Sequence, residues 1–539
     1  VNAGNSIVSG GNYNTVVGDE AGTAITTGDN SVTVGYNAGK SYTTQSQNTM
    51  IGSSAGVADT GANNTGIGFN SIATAGTGSN NTAVGGFSLY ANTTGASNVA
   101  VGASALVANT TASNNTAVGY AALTANTEGT NNVALGHQAL TADTLGSRNT
   151  AIGVGTLDAQ NFTGATNSNN TALGYAAGSA VSTGINNTLL GARAGIALSD
   201  ADNNVAVGMG ALTTDTKGSK STAVGHSALE AQNFTSSTTT YNTAIGSDSG
   251  KAISTGTLNT IIGSSAGDGI TTGTRNTALG FNALGGAVDD GNYNTCIGSD
   301  AGLLTTGSQN CFVGGYDPST GGSGEVMTTG SKNTILGSYN GNQGGLDIRT
   351  SSNNIVLSDG DGNPRAKHNG TTWRFSANDF GSALEFDGNY FYPLEDNAIG
   401  NGYSDNRWTV VYATTGTINT SDQELKQDID SLSDAELRVA TRIKGLIKKF
   451  RWKDAVVAKG DDARIHVGAI AQEVEQAFTD ESLDADRYAI FCKDEWYEVD
   501  GKRAESLLEP YTSETENAVK VTRLGLRYDQ LLAFVIATL

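Results

Sequence analysis

The chain has 539 residues with charged residues at 15%, well below the roughly 25% of an ordinary soluble domain. Its 51 acids against 30 bases give a formal net charge of −21, which argues against a nucleic-acid surface. Gly at 72 with Pro at 4 excludes collagen, no apolar run is long enough for membrane insertion, and 3 Cys with 4 His argue against a disulfide framework, a metal centre or any cofactor.

The length predicts three or more units. The chain opens on Val1 without a basic-then-apolar leader, which reads as a processed form or part of a longer protein whose N-terminal attachment region is missing. From there a phrase close to Asn-Thr-Ala-Val-Gly recurs. Its closing glycine falls at Gly18, Gly35, Gly52, Gly68, Gly85, Gly102, Gly119, Gly136 and Gly153, a step of 17 and once 16. The step is 21 from Gly153 to Gly174 and again from Gly225 to Gly246, and the run continues to Gly337 with a decaying copy at Asn353–Leu357.

A period of 17 is too short for a helical hairpin and suits one rung of a β-solenoid. Triplets such as Thr116-Ala117-Val118 favour a strand, and the following Gly permits a sharp turn. A second small apolar pair, as in Ala122-Leu123, completes the rung's apolar content, and the Thr, Asn, Gly and Ser between read as solvent-tolerant turns. The two longer steps place four extra residues in an outer loop, around Gln160-Asn161-Phe162 and Gln232-Asn233-Phe234. Phe162 and Phe234 read as caps over the rungs below, with exposed binding contacts as the other possibility. About 20 rungs at about 4.8 Å make a rod of roughly 95 Å. Each rung is so poor in large apolar side chains that a shared core between identical chains is expected.

Residues 359–420 form an aromatic-rich β connector. Thr372-Trp373-Arg374-Phe375 and Leu384-Glu385-Phe386 alternate, which predicts short antiparallel strands with one covered face, Leu384 and Phe386 sharing a side. The aromatics read as a denser core at the rod's end, with a carbohydrate platform as the alternative.

From residue 421 the composition becomes ordinary. Ser433 with Glu436 is a capping box, followed by an apolar stripe at Leu437, Ala440, Ile443, Leu446 and Ile447. A second helix is predicted over Gly468–Phe478 and a third over Tyr528–Ile536. Trp452 and Trp496 are expected in the core or between subunits. Ser421 with Lys426 combines a hydroxyl and an amine, although Ser421 with Glu424 also reads as a simple helix cap. A lysine works as a general base only when neutral.

The phrase repeat resembles the β-roll heads of trimeric bacterial adhesins, and similar repeats occur in phage tail fibres. The last domain carries Ser421-Asp422 with Leu425-Lys426, then Phe450-Arg451-Trp452, then His466-Val467-Gly468 through Val474, and finally Leu526-Arg527-Tyr528. In that order these motifs resemble the intramolecular chaperone of phage tailspikes and tail fibres, the endosialidase-type self-cleaving family. The resemblance implies a homotrimer and cleavage between Thr420 and Ser421. Ser421 would be the nucleophile and Lys426 its base, while His466 and Gly468 match the family's His-x-Gly, which is linked to cleavage.

The expectation is therefore a mostly β protein with three parts: a trimeric β-solenoid rod over 1–358, a small β connector over 359–420 and an α+β chaperone over 421–539. It would be a virion tail fibre, assembled in the host cytoplasm, that contacts a bacterial surface polysaccharide or protein receptor and joins other virion tail proteins. Its only enzymatic step would be intramolecular serine-type autoproteolysis. The competing readings are a trimeric adhesin, which needs a leader and a membrane anchor, and a capsule depolymerase, which needs paired acids in a groove.

Overall fold

The computed structural model describes residues 2–286, 291–376, 384–393, 427–499, 502–503 and 518–539. Two compact units divide the chain, Val1–Arg407 and Trp408–Leu539.

The first unit is a β-solenoid. Twenty three- or four-residue strands, from Thr15–Val17 to Ile355–Ser358, stack in parallel as one ladder. Equivalent positions of successive copies face each other, as in Ala117↔Ala134 and Val118↔Leu135. The ladder extends around the corners too: Leu123 N–H donates to Ala139 O at 3.0 Å and Ala125 N–H to Thr141 O at 3.1 Å. The closing glycine is required by the stacking itself. At Gly119 φ is +138°, and a Cβ there would stand 2.3 Å from the carbonyl oxygen of Gly136 in the next rung.

Contrary to the expectation of a core shared between chains, each rung closes around side chains of its own. The central strand alanines Ala83, Ala100, Ala117 and Ala134 are fully buried within the single chain, as are Leu106, Leu123 and Leu140. Cys296 lies among them as a small apolar group. The rung succeeds with so little apolar volume because much of its interior is a hydrogen-bonded amide ladder. Asn115 Oδ1 accepts the N–H of Asn132 at 2.9 Å, and Asn115 Nδ2 donates to Gly129 O at 2.9 Å. The same pair of bonds recurs at Asn81, Asn98 and Asn132. The phrase asparagine is thus an interior residue and not a solvated turn residue, because each copy satisfies the backbone of the next.

Most rungs are of two kinds. In one, a glycine in left-handed conformation is followed three residues later by a large apolar side chain, as in Gly195 with Leu198 or Gly250 with Ile253. In the other, a leucine takes the left-handed position and the residue three later is polar, as in Leu212 with Asp215 or Leu229 with Gln232. The glycine is empty where its rung-mate fills the space.

The two four-residue insertions are held from beneath. Gln160 Nε2 donates to Asp143 Oδ2 at 2.7 Å and Asn170 Nδ2 donates to Gln160 Oε1 at 2.8 Å. The second insertion repeats this with Gln232 to Asp215 at 2.5 Å and Asn242 to Gln232 at 2.8 Å. Phe162 and Phe234 are 6% and 7% exposed, so they are caps and not binding contacts. Burial holds the carboxyls of Asp143 and Asp215 above their ordinary range, against the opposing pull of their hydrogen bonds.

After Ser358 the sheet turns antiparallel through Pro364–His368, Trp373–Phe375, Leu384–Phe386 and Phe391–Pro393. Leu384 and Phe386 share a face as expected, but that face is open: Phe375, Phe386 and Phe391 are exposed. The buried residue is Glu385, which accepts from Arg374 Nε at 2.5 Å and Tyr392 Oη at 2.8 Å. No dense aromatic core therefore forms within the single chain among the described residues.

In the second unit, α1 (Asp434–Lys444), α2 (Lys453–Lys459), α3 (Ala471–Asp480) and α4 (Tyr528–Ile536) accompany antiparallel strands, the longest pair being Phe491–Val499 with Ala518–Leu526. Ser433 and Glu436 form the expected reciprocal cap on α1. Val439, Ile443, Val474, Phe478, Leu531 and Phe534 make the core, with Phe478 and Phe534 rings 5.8 Å apart. The helix expected from Gly468 begins at Ala471 instead, because His466–Gly468 is a strand paired with Lys448–Phe450. Trp452 is 61% exposed and so is not a core residue of this chain. No helix among the described residues is long and apolar enough to cross a membrane.

Candidate functional site

Three motifs far apart in the sequence meet in the second unit. Strand Lys448–Phe450 runs antiparallel to His466–Gly468, with Phe450 opposite His466 and Lys448 opposite Gly468. The pairing stacks the Phe450 ring on the His466 imidazole, with centroids 5.8 Å apart and planes at 22°. Trp452 closes the cluster, edge-on to Phe450 at 5.4 Å and 6.2 Å from His466. The His466 imidazole is held by ring faces, leaving its nitrogens at the surface; among the described residues no group hydrogen-bonds to them. Arg451 turns the other way, donating through Nη1 to Asp461 O at 3.3 Å and thereby tying the chain after the strand to the turn that follows α2.

Gly468 is fixed by α4. A Cβ at position 468 would lie 2.2 Å from Tyr528 Oη, and that hydroxyl donates to Ala469 O at 3.2 Å. Tyr528 stands at the first position of α4, and Arg527 N–H donates to Ile490 O at 2.9 Å, which anchors the helix start. Thus the glycine of His-x-Gly is needed for space: it admits the tyrosine hydroxyl that clamps the strand end to α4. An ion pair between Lys448 and Glu473 joins the same strand pair to α3.

A second link stabilises the unit behind this cluster. Tyr488 Oη donates to Glu436 Oε1 at 2.8 Å, and Glu436 also closes the α1 cap. Burial, helped by the carboxylate, pushes the Tyr488 hydroxyl up to about 12, whereas Ser433 and Tyr488 together hold the Glu436 carboxyl below its ordinary range. Nothing in the sequence marks this Tyr488–Glu436 contact, since the two residues are 52 positions apart.

Of the residues expected at the cleavage site, His466 and Gly468 sit side by side in this strand, while Ser421 and Lys426 lie outside the described residues, as does the Thr420–Ser421 bond. Among the described residues no cluster of three or more His, Cys, Asp or Glu is placed to hold a metal ion.

Residues 421–483 match the family profile described as chaperone of endosialidase. The chain is 35% identical over 182 residues to the probable tail spike protein of Klebsiella phage 0507-KN2-1, covering 31% of this chain and 13% of that one. It is 37% identical over 106 residues to the side tail fiber protein pb1 of Escherichia phage T5, covering 20% and 7%. Among solved structures it is similar to the carboxy-terminal domain of the bacteriophage T5 L-shaped tail fiber with its intra-molecular chaperone domain. That likeness has 26% identity and a TM-score of 0.23, over 31% of this chain and 42% of that one. The matched parts are thus a small share of these curated relatives' own length. Phe450, His466 and Gly468 therefore lie in a chaperone-of-endosialidase segment that follows a β-solenoid, with Tyr528 packed against it from beyond the matched residues, in a chain whose relatives are phage tail spike and side tail fibre proteins.

Proposed function

We propose that this chain is a fibre of a phage tail that contacts the host surface, that three copies assemble through the C-terminal domain, and that this domain then cuts itself off between Thr420 and Ser421. The observation that carries the reading is the start of the family match at residue 421, directly after the bond in question. The surface contacted would be a bacterial polysaccharide or protein receptor, and assembly would take place in the host cytoplasm before the fibre joins other tail proteins.

The chemistry asks little of the protein. The Ser421 hydroxyl attacks the carbonyl carbon of Thr420 while Lys426, neutral, takes its proton. The C–N bond breaks, the proton passes to the departing Ser421 amine, and Thr420 is left as an ester on the Ser421 oxygen. Water then hydrolyses the ester, giving a Thr420 carboxylate and a free Ser421 N-terminus. His466 would orient or donate to the groups at the scissile bond, from a strand end that Gly468 and Tyr528 hold still.

The physical sense is kinetic. A ladder repeating every 17 residues matches itself nearly as well after a slip of one rung. A non-repetitive domain joining the C-terminal ends sets the register, and its removal leaves a fibre protected by a barrier and not by reversible folding. Expression of the full chain with mass spectrometry of the products tests the reading. The expected result is a fragment ending at Thr420 that disappears in Ser421→Ala while assembly persists; the same fragment from Ser421→Ala overturns the assignment.

A further inference from the structure

The outer face of the strand ladder carries an uncharged stripe. The third residue of every strand in the ladder is Val, Ile or Leu, from Val17 to Leu357, and the first is Thr, Val, Cys or Ile. Neither position holds a charge in any of the twenty rungs of a chain whose net charge is −21. Register places each third residue directly against its equivalents in the rungs above and below, so the residues form one continuous row. No member of the row is buried, and the most open are Val17 at 55% exposed, Leu173 at 46% and Leu135 at 45%.

The stripe does not stop with the solenoid. Leu357 pairs with Ala366, which pairs with Phe375, which pairs with Leu384, so the exposed Phe375 stands on the same side of the sheet. Ile355 leads in the same way through His368 and Trp373 to Phe386. The open aromatic face of the connector is the continuation of the open aliphatic row.

Twenty partly exposed aliphatic side chains present on the order of 1,000 Å² per chain, where a standard specific interface takes roughly 800 Å² from each partner. Monomeric proteins rarely leave patches beyond a few hundred Å² uncovered. The backbone groups of the strands are already paired along the ladder, so the contact must be side-chain packing between sheet faces.

We infer that this stripe is where copies of the chain meet, side by side, parallel and in register, with the row from Val17 to Leu357 of one copy against the same row of another. A second copy is the partner whose stripe has the same length, the same rung spacing and the same lack of charge, so every rung finds a mate. The interior of each solenoid is its own; the common core is made of the side chains that point outward. The inference rests on the fibre reading only in expecting more than one copy, and it names the face they use.

Chemical cross-linking of the full chain decides it. In a background of Cys311→Ser and Cys492→Ser, Leu135→Cys and, separately, Val118→Cys are treated with a short bismaleimide, with Thr111→Cys on the exposed polar turn as control. Circular dichroism verifies that each variant keeps its β-structure. The expected result is interchain cross-linking from Leu135→Cys and Val118→Cys at least fivefold above that from Thr111→Cys. Yields equal to or below the control overturn the inference. The fibre reading is tested separately, by whether the purified protein blocks phage adsorption to its host, and it stands whichever way the cross-linking falls.

Discussion

A Cβ on Gly195 would stand 2.7 Å from Leu198 Cδ1. One rung further, at the equivalent positions, Leu212 replaces the glycine and Asp215 replaces the leucine. Between these two rungs the same interior space is therefore filled from either of two positions. Gly195→Leu alone overfills it, at a cost of about 1–3 kcal/mol, and Leu198→Asn alone empties it, at about 2–5 kcal/mol. The double variant reproduces the neighbouring rung type, so its loss in thermal unfolding should be smaller than the sum of the two single losses by at least about 1 kcal/mol. Additive losses would mean that the two positions do not share that space.

The amide ladder predicts a different response. Asn115→Ala leaves the Asn132 N–H and the Gly129 carbonyl without their buried partners. The cost is about 2–4 kcal/mol from two unsatisfied groups. Hydrogen exchange should show faster exchange at Asn132 and its neighbouring rungs, and a local effect confined to residue 115 would contradict the ladder's role.

Acid should act oppositely on two sets of carboxyls. Burial raises the carboxyls of Asp59, Asp143 and Asp215 in the folded solenoid. Their contribution is fully present below the unfolded value of about 3.9 and is lost as pH rises through the raised folded values. The solenoid should gain stability from these groups as pH falls below neutrality. Glu436 and Asp480 are held low by their hydrogen-bond partners, so their contribution is present above the ordinary carboxyl range and is lost as pH falls through the lowered values. Hydrogen exchange followed by peptide mass across pH 4–7 should show the rungs around Asp59, Asp143 and Asp215 tightening and the segments around Glu436 and Asp480 loosening with acid. Asp143→Asn with Asp215→Asn should flatten the solenoid's response.

Gly468→Ala would drive a methyl group into Tyr528 Oη. The expected loss is about 1–3 kcal/mol in the C-terminal unit, with a lower yield of cleaved product. Gly468→Ala with Tyr528→Phe removes the contacting oxygen and should recover part of both. Equal defects with and without Tyr528→Phe would show that the glycine is needed for something other than space for the hydroxyl.

Periodicity made the solenoid legible, since the 17-residue step and the β-branched triplets depend on each rung's own residues. The Ser433 cap and α4 over Tyr528–Ile536 were legible for the same reason. What depended on neighbours was not. The phrase asparagine has the composition of a turn, and its burial follows only once an identical residue lies above it. Glu385 is buried because Arg374 and Tyr392 on adjacent strands reach it. Gly468 joins a strand and not α3 because Lys448 pairs with it from 20 residues away. At the candidate site the motif residues were visible in order, but the placement of Tyr528 against Gly468 was visible only in three dimensions.

The ladder also bears on how the proposed fibre could change length over generations. Because each rung is bonded only to its two neighbours and presents matching groups to both, recombination between repeats that removes or duplicates one whole rung leaves no unsatisfied surface behind. Each event alters the reach of the stack by about 4.8 Å. In the proposed fibre, span is thereby separated from assembly: the length of the stack changes in small increments while the C-terminal domain stays unaltered.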